Sequence, residues 1–307
     1  MVLESSPSDN HCFPIRELSA RTRVNTVTLR AWERRYGLLK PKRTDKGHRL
    51  YSEADVKRVE QILAWTSRGV PVSKVRALLE QRHAADPVAI AMADPAGQSQ
   101  QLQGLHWTQQ VDSLLDAVSR FSAQGVQKIL ADAFLQYPAE LCARHLLEPA
   151  MAALQSEAAS RGQWLFLQSE ILHFTSLRLD LNRKQSQGSE ICLLCGPNTP
   201  LWRLALMGIQ LADSNHLLLF FNQRCNVDAW LQVASANSDR CCIVYQDGSW
   251  RDDELERIKT LLPVLPGLQI CGAAPMMAGL TSADRCFATP QQLLEHFWRL
   301  QKVQKPA

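Results

Sequence analysis

No stretch of this 307-residue chain approaches the roughly 18 consecutive apolar residues that a membrane-spanning helix needs. Residues Met1 to His11 are polar and lack the apolar core of a secretory signal, so a cytoplasmic protein is expected. The chain also lacks a Gly-rich phosphate loop, a nucleophile elbow, an H-E-x-x-H helix and His/Cys spacing suited to tetrahedral zinc. The usual sequence grounds for an enzyme or a metalloprotein are therefore missing, and no catalytic, cofactor-binding or metal-binding residue is assigned. Asp252-Asp253-Glu254 stand at the expected start of a helix, where acids complement the dipole and need no acid–base role. A DNA-linked enzyme with a site composed of loops is the remote alternative.

Disulfides are excluded on similar grounds. Nine cysteines, an odd number scattered from Cys12 to Cys286, make no disulfide framework in a reducing compartment. Cys192 and Cys195 form a C-x-x-C, but they lie in the apolar run Ile191 to Cys195, which reads as a strand. Residues three apart in a strand point to opposite faces, so the pair reads as two small buried hydrophobes. Cys241 and Cys242, within Cys241 to Tyr245, read the same way.

What the chain does have is charge of one sign, concentrated. Residues 14–82 hold 17 Lys and Arg against 7 Asp and Glu, net +10, while the remainder holds 17 against 23, net −6. The overall +4 thus hides a basic head on an acidic body, the distribution expected of a nucleic-acid binder. Within the head, Asn25 to Gly37 has a capping residue at one end, a glycine at the other and no breaker between, which predicts a helix. At 100° per residue Leu29, Trp32 and Tyr36 share one side, and Val27, Arg30, Ala31 and Arg34 the other. Ile15 to Ala20 reads as a shorter helix joined by a turn, the arrangement of a helix-turn-helix. Leu38 to Tyr51, with Thr44-Asp45-Lys46-Gly47 at its centre, reads as a β-ribbon wing. Ser52 with Asp55 resembles a capping box for a third helix up to Gly69, and Lys74 to about Gln81 a fourth.

This order, with Thr28-Leu29-Arg30-x-Trp32-Glu33-Arg34-x-Tyr36-Gly37-Leu38-Leu39, Pro41-x-Arg43 and Gly47-x-Arg49-x-Tyr51, resembles the winged-helix domain of MerR-family transcription regulators over about seventy residues. The Ala31-Trp32 pair is similar to the CarH- and MlrA-like subgroup. The resemblance implies a reader of double-stranded promoter DNA. Val27, Arg30, Ala31, Arg34 and Arg35 would face the major groove and its phosphates, and Lys42, Arg43, His48, Arg49 and Tyr51 of the wing the backbone and minor groove. Leu29, Trp32, Tyr36, Leu38 and Leu39 are assigned to the core of the head.

The expected organisation is multidomain: a winged helix-turn-helix head over 12–82, a linker over 83–104, a four-helix bundle over 105–186 and a Rossmann-like α/β domain over 187–305. The linker is rich in Ala and Gln with two Asp-Pro pairs, and it stands where the family commonly has a dimerising helix. Assembly as a dimer or dimer of dimers would then come from further along. Helical spacing in Trp107 to Phe121, Gln124 to Leu135, Pro138 to about Ser160 and Trp164 to about Asn182 predicts the bundle. Beyond it, apolar runs alternate with helical ones, which predicts a parallel sheet covered on both faces. In CarH-like members this last domain binds cobalamin through a loop carrying an acid, a histidine two residues on and a glycine three beyond, whereas MlrA-like members have a degenerate site. Here that loop is Gly196-Pro-Asn-Thr-Pro-Leu-Trp-Arg203, without histidine or acid, and neither His173 nor His216 has the spacing. No cofactor is therefore expected. The resemblance favours an activator that distorts promoter DNA and works with RNA polymerase. A repressor responsive to cobalamin or another small ligand is the alternative, and any small-molecule effector is left open.

Overall fold

The computed structural model describes residues 12–84, 96–156, 160–183, 188–280 and 285–303. The chain divides into two compact units, Met1–Glu170 and Ile171–Ala307. Among the described residues no helix is long and apolar enough to cross a membrane.

The first unit begins with the head. Helix α1 (Ile15–Thr22) ends at Arg23 in the left-handed region, and α2 (Thr26–Arg34) starts on Asn25, whose side chain accepts the Val27 N–H at 2.7 Å. After α2 the chain turns through Gly37 at φ +60°, a conformation glycine adopts without strain, and the Leu38 N–H returns to the Trp32 carbonyl. Strands β1 (Phe13–Pro14), β2 (Lys42–Arg43) and β3 (Arg49–Tyr51) form an antiparallel sheet in the order β1-β3-β2, so the expected wing gains a third strand. Helix α3 (Glu53–Ser67) starts on Ser52, whose N–H is met by the Asp55 carboxylate, and α4 (Val72–Ala84) follows. Leu18, Val24, Leu29, Trp32, Leu38, Leu39, Val59 and Ile62 are buried.

Four helical segments follow: α5 (Ala96–Ser119), α6 (Ala123–Gln136), a broken third and α9 (Arg161–Arg183). The third consists of α7 (Ala139–Cys142), a π-helical turn at Ala143–Leu147 and α8 (Glu148–Ser156). The wider turn falls where Pro149 has no N–H to give to the carbonyl four residues earlier. Of the stretch expected to be a linker, residues 85–95 lie outside the described residues. Residues 96–104 are helical and belong to α5, because Ala and Gln are good helix formers even where no apolar stripe marks them.

In the second unit, α9 from Ile171 onward is followed by β4 (Glu190–Cys195), α10 (Leu201–Asp213), β5 (Leu217–Arg224), α11 (Val227–Ala236), β6 (Cys241–Tyr245), α12 (Asp252–Leu261), β7 (Leu268–Cys271), α13 (Ala273–Met277), β8 (Cys286–Phe287) and α14 (Pro290–Val303). The strands make one parallel sheet in the order β5-β4-β6-β7-β8. Ile191, Leu193 and Cys195 point into a core with Leu204, Met207 and Leu293, while Cys192 and Leu194 point into the opposite core with Trp230, Val244 and Ile258. The two cysteines of the C-x-x-C thus lie on opposite faces, as strand alternation requires, and the nine cysteines are thiols outside any disulfide.

Candidate nucleic-acid interface

The cationic surface of the head is built by α2 and the wing. On α2, Val27, Arg30 and Arg34 are exposed at spacings of three and four residues, a single stripe, and Arg35 is exposed beside it. Ala31, expected on the same stripe, is instead buried at 7% exposure. On the wing Lys42, Arg43 and His48 are exposed and Arg49 is half-buried. Tyr51 corrects the sequence reading: it is fully buried and belongs to the core of the head. As the last residue of β3 it pairs with Phe13 of β1, which is also buried. Burial, with Glu33 close by, pushes its hydroxyl up to about 12.

Glu33, which the sequence reading passed over, joins helix to wing. Its two carboxylate oxygens accept separately, one from Arg49 Nε at 2.5 Å and the other from Arg43 Nη2 at 3.2 Å. The Glu33 side chain is only 12% exposed, and its bond to Arg49 raises the pKa of that guanidinium. Arg43 and Arg49 are therefore held beside α2 before any ligand arrives. A lone acid within a basic helix was the available signal, but its partners lie ten and sixteen residues away.

The other candidate site is the carboxyl edge of the parallel sheet. The strand order switches sides at β4, with β5 added on one flank and β6 on the other, and the crevice between β4 and β6 is where ligands bind in open α/β sheets. Here the crevice is occupied by the chain's own groups. The fully buried Thr199 accepts the Asp247 N–H on its hydroxyl at 2.9 Å, and its carbonyl accepts from Arg224 Nε at 2.9 Å. Asp247 in turn accepts the Ala273 N–H at 3.0 Å. The Gln246 side chain lies so close over Gly196 that a Cβ there would fall 1.6 Å from Gln246 Oε1. Trp202, expected in this loop, is the second residue of α10 and is buried. The loop offers amide and hydroxyl groups and no imidazole, a poor donor set for a transition metal. The residues present do not fit a cobalt ligated from this side. Among the described residues no three His, Cys, Asp or Glu side chains are grouped to hold a metal ion.

Comparison with known proteins agrees with the geometry of the head. Residues 13–82 match the profile of the MerR HTH family regulatory proteins. The HTH-type transcriptional regulator MlrA of Salmonella typhimurium (strain SL1344) is 33% identical over 195 residues, which are 62% of this chain and 72% of that protein. The HTH-type transcriptional repressor CarH of Myxococcus xanthus is 45% identical over 58 residues, 19% of each chain. A solved structure, the monomethylamine corrinoid protein of Methanosarcina barkeri, overlays 63% of this chain and 99% of its own with a TM-score of 0.45 and 14% identity. With a profile match covering the whole head and a relative matched far beyond it, the chain belongs to the MerR family of transcriptional regulators, in its MlrA- and CarH-like branch.

Proposed function

We propose that this chain is a sequence-specific regulator of promoters, with α2 in the major groove and the wing on the flanking backbone. The carrying observation is the exposed stripe Val27, Arg30 and Arg34, with Arg35 beside it and Arg43 and Arg49 pinned alongside by Glu33. Lys42 and His48 extend the same surface along the wing. Guanidinium groups on a helix can read base edges or bind phosphates, and the small Val27 lets the backbone approach. The protein works in the cytoplasm as a homodimer or dimer of dimers, held together by regions beyond residue 83. It acts as an activator that reshapes the promoter for RNA polymerase, a deformation whose smooth bending term costs about 1 to 6 kcal/mol. Selection from random duplex DNA, followed by transcription in vitro from the selected site, tests this. A selected inverted repeat and raised transcript are expected, and lowered transcript would make the protein a repressor.

The α/β domain serves assembly or sensing without cobalamin. What supports this is the crevice closed by Thr199, Gln246 and Asp247, and the lack of an imidazole in 196–200. Calorimetric titration with adenosyl- and methylcobalamin should give no stoichiometric heat at micromolar protein. A corrin absorbance that survives gel filtration would refute it.

A further inference from the structure

The face of α2 that is not exposed has two tasks, and only one of them belongs to the head. The indole body of Trp32 is fully buried in the head, yet its N–H leaves that core and donates to the main-chain carbonyl of Gln136 at 2.8 Å. One turn on, the Tyr36 hydroxyl donates to the Gln136 side-chain oxygen at 2.9 Å, while the amide nitrogen of that side chain donates to the Asp132 carbonyl at 3.1 Å. One turn earlier, the buried Thr28 hydroxyl lies 3.5 Å from the Phe134 carbonyl. Thr28, Trp32 and Tyr36 are four residues apart and form one stripe, set against the last turn of α6. The last four carbonyls of a helix have no partner within it, and here the recognition helix supplies donors to two of them, Phe134 and Gln136. A second tie lies close by in sequence. The Tyr137 hydroxyl takes the backbone N–H of Val72, at the start of α4, and pairs with His106 Nε2 at 2.9 Å. Both ties converge on residues 134–137 of the bundle.

We propose that the corner at residues 134–137 is a docking seat for the recognition helix, and that Trp32 and Gln136 are positioning residues for DNA reading. The seat takes the Thr28–Trp32–Tyr36 stripe and leaves Val27, Arg30 and Arg34 open, so docking fixes the direction in which the head presents its reading face without covering it. With Glu33 holding the wing from the other side, α2 is fastened at both flanks. Any shift of the corner is passed directly to the reading helix.

The test uses the full chain with two sets of substitutions. Trp32→Phe keeps most of the buried ring and removes the N–H; Tyr36→Phe with Gln136→Ala removes the second bond and leaves Trp32 in place. Hydrogen exchange should speed up about threefold or more at amides of residues 28–36 and 133–137 in both. The second arm rests on the DNA-reading function proposed above. Affinity for duplex carrying one selected half-site should stay within about twofold of wild type, while affinity for the paired half-sites drops about fivefold or more, because undocked heads lose their mutual register. Unchanged exchange in Tyr36→Phe/Gln136→Ala would overturn the docking. One-site and two-site affinities falling in parallel would overturn the positioning role. If the wild-type chain selects no DNA at all, the regulator reading fails and the exchange arm still decides the docking.

Discussion

At Glu33 a single carboxylate decides how much of the wing's charge DNA can use. Arg43 and Arg49 share it, so binding a phosphate with either cation replaces an existing partner and releases fewer counterions than binding with a free one. Lys42 is exposed and, among the described residues, has no ion-pair partner. Lys42→Ala should therefore flatten the log–log salt dependence of DNA binding by about 0.9 per protomer. Arg49→Ala should weaken binding to all sequences yet flatten the slope less, and destabilise the head by about 1 kcal/mol through loss of a part-buried charged bond. Equal slopes for the two variants, read from binding isotherms across a salt series, would show that Glu33 lets go of Arg49 on DNA. The sequence disclosed which residue types gather in the head, because charge clustering is a local property. It did not disclose that Ala31 and Tyr51 are buried, because burial depends on what packs against a residue, and β1, which pairs with Tyr51, is too short to leave a pattern.

Elements with their own punctuation were legible, and those defined only by their neighbours were not. Strand β6 and helix α11 begin and end where the apolar runs do, whereas α13 and β8, five and two residues long, have no periodicity to read. Helix α2 is the clearest case of local specification, since Asn25 caps it and Gly37 ends the turn beyond it. Removing the cap, Asn25→Ala, should cost about 1 kcal/mol of head stability in thermal or urea unfolding. Asn25→Asp should keep the cap and stability. Yet it should weaken DNA binding, because a carboxylate then stands at the end of α2 that would meet phosphates. If the aspartate variant binds as tightly as wild type, the N-terminus of α2 does not approach the backbone.

For the whole molecule, three buried or half-buried histidines set the response to acid. Burial lowers the pKa of His106 and His145 in the first unit and of His216 in the second. Lys74 adds to the effect at His106 and Arg144 at His145, while a hydrogen bond to the Ser189 main chain partly opposes it at His216. A histidine whose folded pKa lies below its unfolded value of about 6.5 leaves the folded state binding fewer protons than the unfolded one between those two values. Stability is then complete above about pH 6.5 and is lost as pH falls through the lowered folded values. At His216 the geometry agrees: the ring is 8% exposed, Nδ1 pairs with the Ser189 hydroxyl at 3.0 Å, and Phe297 meets the ring edge-on. Urea unfolding should therefore show stability falling from pH 7.5 to 5.5, by at most about 1.4 kcal/mol per pH unit for His216 alone. His216→Asn should start less stable at pH 7.5, having lost the packed ring, but show a shallower decline. A variant whose decline matches that of wild type would place the acid sensitivity at His106 and His145, beside the corner where the recognition helix docks.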